Sequence, residues 1–288
     1  MKPVTSLIYL FLAALAVTSA SPDTTCECGI ENVSRRIIRG RSSIEYQFPW
    51  MVYIKRIVMV GRQMGVAGCT GSVINDRFIL TAAHCLQGTA LYTGAFIGMH
   101  CKNDPRSMAG TLKVKRVIYH ERYQEVRGFH DIGLIELEEP LKFNGTFSPI
   151  CLPNFVGHDN FVAAGWGQVE SWNPWRGTTK EETDCLREAD LDVVHPSLCR
   201  RFHPYLNEEK ALCAGGRTNV CQGDSGGPLM TRNNGNVYQV GITSFGRADC
   251  GIVTETPAIF EKVSAHYDWI KSKTRGAKWC TAKRSTVF

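Results

Sequence analysis

The segment Val220-Cys221-Gln222-Gly223-Asp224-Ser225-Gly226-Gly227-Pro228 sets three glycines round a single serine. Glycine adopts backbone angles closed to other residues, so the chain can fold tightly about Ser225. A turn of this kind can aim the N–H groups of Gly223 and Ser225 into one small space, where an oxyanion would be held. Asp224 offers a carboxylate able to turn inward if a cation met it. A Gly-rich turn alone is weak evidence, since such turns are common for backbone reasons. Other motifs must decide whether Ser225 is a nucleophile.

Two do. Leu80-Thr81-Ala82-Ala83-His84-Cys85 places a histidine beside a cysteine, with Cys69 upstream in Gly68-Cys69-Thr70-Gly71-Ser72. Phe129-His130-Asp131-Ile132-Gly133-Leu134-Ile135 puts an acid at the head of an apolar strand, where it is costly without a hydrogen-bonding partner. His130, beside that acid, reads as structural. Taken with the serine turn, these motifs closely resemble those of the chymotrypsin/trypsin family of serine proteases, in the same order. The resemblance implies Ser225 as nucleophile, His84 as general base and acid, and Asp131 as the group that holds the imidazole tautomer. It makes the amides of Gly223 and Ser225 the oxyanion hole.

The family resemblance also gives meaning to Arg35-Arg36-Ile37-Ile38-Arg39-Gly40. Cleavage after Arg36 would free the α-amine of Ile37, and in the family that new terminus pairs with the carboxylate next to the nucleophile, here Asp224. A buried carboxylate needs such a cation. Arg39 stands where the family most often has glycine.

Ahead of this lies Lys2, an apolar run from Leu7 to Val17, and small residues Thr18-Ser19-Ala20. This reads as a signal peptide over 1–20, followed by a propeptide over 21–36 and a protease domain over 37–288. The run is too short to span a membrane. The protein is expected to be secreted. Twelve cysteines in 288 residues agree with an oxidising compartment.

A 43% hydrophobic content supports a sizeable core, and a formal charge of +6 is mild. No basic run with interleaved aromatics suggests a nucleic-acid face. The C-terminal Lys271, Lys273, Arg275, Lys278, Lys283 and Arg284 could touch an anionic surface.

Trp50-Met51-Val52-Tyr53-Ile54 and Gly71-Ser72-Val73-Ile74 read as strands, with Lys55 to Gly65 as a long loop between them. Gly165-Trp166-Gly167 and Leu191 to Val194 continue the β pattern, and Val263 to Lys271 reads as a helix. The resemblance covers about residues 28 to 273. It implies an all-β fold of two six-stranded antiparallel barrels, with a C-terminal α-helix and the active site between the barrels.

By the same resemblance Cys69 pairs with Cys85, Cys199 with Cys213, Cys221 with Cys250, and Cys28 with Cys151, so the propeptide stays attached after cleavage. For Cys26, Cys101, Cys185 and Cys280 the resemblance gives little guidance and the pairing stays open, with Cys101–Cys185 and Cys26–Cys280 as the working expectation. The specificity pocket falls on Asn219 at its floor, with Val220, Gly246 and Ala258 as walls, and Ser244, Phe245 and Gly246 as the strand that pairs with substrate. An uncharged Asn219 favours apolar or aromatic side chains over Arg and Lys, unless Asp249 or Glu255 swings in. Asn32-Val33-Ser34 and Asn144-Gly145-Thr146 are glycan acceptor patterns. The loop Gly98 to Gly110 has one acid, Asp104, which is too few for calcium.

The expected function is a secreted serine endopeptidase made as a zymogen, chymotrypsin-like in specificity, with no cofactor and no metal. The alternatives are trypsin-like specificity, or a non-catalytic relative that acts by binding. Expected partners are protein or peptide substrates, an activating protease that cuts after basic residues, and protein inhibitors.

Overall fold

The structure, a computed structural model, describes residues 26–32, 45–105, 110–125, 130–153, 160–173, 177–216, 218–246 and 256–283. The expected signal peptide, Arg36, Ile37, Asp249, Cys250 and Glu255 lie outside the described residues.

After a two-residue strand β1 (Glu27–Cys28), the first half of the chain forms one antiparallel sheet. Its strands are β2 (Met51–Val60), β3 (Gln63–Val73), β4 (Phe78–Thr81), β5 (Ala90–Ile97), β6 (Thr111–Leu112), β7 (Val114–Tyr119) and β8 (Gly133–Leu137). The order is β6-β5-β2-β3-β4-β8-β7, and the chain breaks between β6 and β7 only at Lys113. The segment 111–119 therefore pairs with β5 at one end, through Ala95 and Leu112, and with β8 at the other. This curls the sheet nearly closed. Counted as one interrupted strand, it makes the sheet a six-stranded barrel.

The Lys55 to Gly65 segment is not a loop. β2 and β3 pair without interruption out to Val60 and Gln63, so only Gly61 and Arg62 form the turn. Gly61 has φ +63°, the conformation such two-residue hairpin turns favour.

The second half holds a hairpin of β10 (Val169–Asn173) and β11 (Gly177–Glu181) beside a closed six-stranded barrel. That barrel comprises β9 (Phe161–Gly165), β12 (Arg187–Val193), β13 (Ala211–Gly215), β14 (Pro228–Asn233), β15 (Asn236–Phe245) and β16 (Ala258–Lys262), closed in the order β12-β13-β16-β15-β14-β9. A short helix α1 (Pro196–Phe202) precedes β13, and a 3-10 turn at Val263–His266 leads into α2 (Tyr267–Lys273). β17 (Thr281–Ala282) returns to pair in parallel with β1.

Trp50, Ile54, Ile79, Leu80, Leu134 and Ile135 fill the first barrel, and Phe161, Leu191, Leu229 and Phe260 fill the second. Full burial of one such side chain is worth about 1.5–3 kcal/mol. Trp166, Met230 and Ile242 belong to the first cluster although they come from the second half, so the barrels share core at their junction.

Five disulfides lie among the described residues: Cys26–Cys280, Cys28–Cys151, Cys69–Cys85, Cys101–Cys185 and Cys199–Cys213. Cys221 is also disulfide-bonded, to a partner outside them. Part of the basic tail is engaged within the fold. Lys271 Nζ lies 3.6 Å from the Trp279 ring centroid, and Lys273 pairs with Glu121.

Candidate active site

The turn after β4 carries His84. Arg56, a strand residue buried to 4% exposure, reaches under this turn. Its guanidinium donates to Cys85 O (3.0 Å), Gln87 O (2.8 Å) and Gly88 O (2.8 Å), and the Cys69–Cys85 bond ties the same turn to β3. Burial lowers the Arg56 pKa. Sequence reasoning missed this brace because it placed Arg56 in an open loop.

Asp131 sits just before β8, 2% exposed. Its Oδ1 accepts the His84 backbone N–H at 2.9 Å, and its Oδ2 lies 2.7 Å from His84 Nδ1. Ser244 Oγ donates to the same Oδ2 at 2.6 Å. This partner for Asp131 was also missed, since Ser244 was read only as part of a substrate-pairing strand. With Nδ1–H directed at the carboxylate, the neutral ring keeps Nε2 as an acceptor.

Ser225 is held from below. Thr70 N–H donates to Ser225 O (2.8 Å), Thr70 Oγ1 donates to Gly223 O (2.9 Å), and Gly226 N–H donates to Thr243 O (2.8 Å). Gly226 has φ +79°, and a Cβ there would come within 2.0 Å of Thr81 Oγ1. No other residue fits. Cys85 Sγ lies 3.7 Å from His84 Nε2 and 3.5 Å from Ser225 O, so the histidine and serine meet against one disulfide. No hydrogen bond joins His84 to Ser225, and the N–H groups of Gly223 and Ser225 donate to nothing among the described residues.

Asp224 turns away from Ser225. Its carboxylate accepts Gly167 N–H and Cys221 N–H, each at 2.8 Å. Burial pushes its pKa up to about 6, against the pull of these two donors. No cation forms an ion pair with it among the described residues.

At the expected pocket floor, Asn219 Nδ2 donates to Thr256 O (3.1 Å) and Oδ1 accepts Val220 N–H (2.9 Å). Its amide is thus spent on its own loop and on the strand leading to β16. Gly246 faces Ala258, with 3.6 Å to the Ala258 Cβ from where a side chain would start. A cleft of about 840 Å³ beside His84 runs between the barrels, lined by Tyr123, Phe202, Tyr205, Leu206 and Phe245. The α1 end and the residues after it supply most of this apolar wall.

Comparison with known proteins agrees with this geometry. The Trypsin family model matches residues 37–270. The chain is 33% identical to phenoloxidase-activating factor 3 of Holotrichia diomphalia, over 91% of this chain and 79% of that relative. It is 32% identical to the clotting factor G beta subunit of Tachypleus tridentatus, over 86% and 83% respectively. Among solved structures, neuropsin, a serine protease expressed in the limbic system of mouse brain, superposes with a TM-score of 0.66 at 28% identity. That match covers 82% of this chain and 99% of neuropsin. Taken with the two barrels and the residues that meet between them, these matches establish that the chain belongs to the trypsin family of serine proteases.

Proposed function

We propose that the chain is a secreted serine endopeptidase made as a zymogen and activated by cleavage after Arg36. The observation that carries this reading is the hydrogen-bonded set His84–Asp131–Ser244 beside the Ser225 turn. Ser225 Oγ attacks the scissile carbonyl, and His84 Nε2 takes its proton and delivers it to the leaving amine. Asp131 holds the proton on Nδ1 and stabilises the imidazolium. The amides of Gly223 and Ser225 bind the oxyanion; one such donor is worth about 3–4 kcal/mol. Ser244 to Gly246 pairs with the substrate backbone as an added strand.

Asp224 supports the activation step. Its raised pKa and lack of a paired cation among the described residues suit a site that receives the Ile37 ammonium after cleavage. The names of the similar relatives, a phenoloxidase-activating factor and a clotting-factor subunit, favour a protein substrate. Asn219, uncharged and with both ends of its amide engaged, favours Leu, Met, Phe or Tyr before the scissile bond over Arg or Lys.

A fluorophosphonate probe tests the enzyme reading. Labelling of Ser225 in protein cleaved at Arg36, and weak labelling of Arg36→Gln protein, is the expected result. An unlabelled cleaved protein would favour a binding-only relative. Fluorogenic peptides that differ only in the residue before the bond test specificity, and fastest cleavage after Arg or Lys would overturn that part.

A further inference from the structure

Beside Asp131 three imidazoles converge from three elements: His120 after β7, His130 immediately before the acid, and His266 at the end of the 3-10 turn. Their candidate ligand atoms all lie within 4.8 Å of one another. His120 and His130 stack with ring centroids 4.5 Å apart, and His266 meets both rings edge-on at 5.4 and 5.5 Å. His130 Nδ1 is buried and has no hydrogen-bond partner. A buried polar nitrogen left unpaired calls for an explanation. We propose that His120, His130 and His266 form a site for one Zn²⁺ or similar borderline divalent cation, opening on the substrate cleft.

The chemistry of the donors selects the ion. Three nitrogens with no thiolate and no ring of oxygens suit Zn²⁺ and not Ca²⁺, and they leave a fourth position for water. His266 Nε2 is 2.5 Å from Glu261 Oε1, which leaves Nδ1 to face the ion. A carboxylate behind a ligating imidazole fixes its orientation and raises its basicity. Burial lowers the pKa of all three imidazoles, to about 4 for His120 and His266, with repulsion from the other two rings adding at His120, from His266 at His130 and from Lys210 at His266. At neutral pH they therefore carry the lone pairs that a metal needs.

Lys210 and Arg122 oppose a cation here, whereas Glu261, Asp131 and Glu121 favour one. His120 Nδ1 accepts Arg122 N–H at 3.1 Å, so ligation through Nε2 moves the ring proton to Nδ1 and gives up that bond.

His130 and Glu261 both line the cleft, which gives the ion a route in. A dication beside Asp131 opposes formation of the His84 imidazolium, so occupancy slows turnover. That effect rests on the protease reading; binding does not.

Binding is therefore measured on the full chain carrying Ser225→Ala, by calorimetric titration with ZnCl₂ and by the visible absorption of bound Co²⁺. One site per chain is expected. Affinity should fall about tenfold or more in His120→Asn and in His266→Asn, and hold in His84→Ala. Half-buried His120 decides if the His266 variant does not fold. No binding at micromolar Zn²⁺, unchanged affinity in His120→Asn, or loss in His84→Ala would overturn the proposal. In the active protease Zn²⁺ should inhibit wild type more than His120→Asn; equal inhibition would overturn the turnover effect alone.

Discussion

Gly167 and Asp224 fit together as donor and acceptor and also as hollow and bump. Gly167 N–H donates to Asp224 Oδ1 at 2.8 Å, and a Cβ on Gly167 would fall 2.4 Å from the same carboxyl group. Gly167→Ala should therefore push Asp224 out of the position that shapes the Ser225 turn. The expected outcome is a drop of about 100-fold in kcat/KM, the order seen when one oxyanion donor is lost. Steady-state kinetics on protein cleaved at Arg36 checks this, and near-normal activity would show that the carboxylate has room to spare.

Ser244 shares Asp131 Oδ2 with His84. Ser244→Ala removes one hydrogen bond to a charged acceptor, which is worth about 1.5–3 kcal/mol in general. We expect kcat to fall by about tenfold or more with KM little changed, because the loss acts on the imidazolium formed during reaction. A change confined to KM would mean that Ser244 serves only the substrate backbone.

Arg56 braces the His84 turn through three carbonyls, of which only Cys85 is in a buried residue. Arg56→Met should cost about 2 kcal/mol, lowering Tm by about 4–8 °C in a domain of this size. Thermal unfolding followed by circular dichroism reads this directly.

Burial, with the Asp131 charge, pushes the Glu261 pKa from 4.5 up to about 8. The folded chain then holds a proton that the unfolded chain releases above about pH 4.5, so this group makes stability fall as pH rises towards 8. His120 and His266, held down to about 4, act in the opposite sense below their unfolded value of 6.5. The Glu261 effect is therefore clearest between pH 6.5 and 8. Urea unfolding across that window should show a decline in wild type that Glu261→Gln flattens. Equal slopes in the two proteins would contradict it.

The two glycan acceptor patterns differ in geometry. Asn32 Nδ2 spends both hydrogens, on Tyr46 O (2.9 Å) and Gly145 O (2.8 Å). Asn144 is exposed; its Oδ1 accepts Thr146 and Phe147 N–H, and its Nδ2 has no partner among the described residues. Carbohydrate is expected on Asn144 and not on Asn32, as mass spectrometry of deglycosylated peptides would reveal.

The candidates His84, Asp131 and Ser225 stood out because each sits in a motif resembling the chymotrypsin/trypsin family's, in the family's order. The two barrels came with that resemblance; the residues themselves gave only short strands and their turn formers. Arg56, Ser244 and Glu261 did not stand out, because their significance lies in partners far along the chain. Arg56 needs the turn at residues 85–88, Ser244 needs Asp131, and Glu261 needs both His266 and the Asp131 backbone. No local pattern encodes such pairings. His130 reads as structural for a similar reason: its two companions stand at 120 and 266. The stretch 55–65 was misread as a loop because its paired strands project past the core, with Val60 68% and Met64 74% exposed, so no alternating buried face marks it as strand.

The bond between Cys26 and Cys280, 254 positions apart, makes the chain a ring with two short ends. A ring behaves differently from a string when it is cut. One break anywhere between those cysteines opens the ring and leaves a single covalent molecule, whereas the same break in an unlinked chain makes two. Cys28–Cys151 closes a smaller loop within the first. The molecule can thus accept a nick at Arg36, or an accidental one in an exposed turn, without shedding any part of itself.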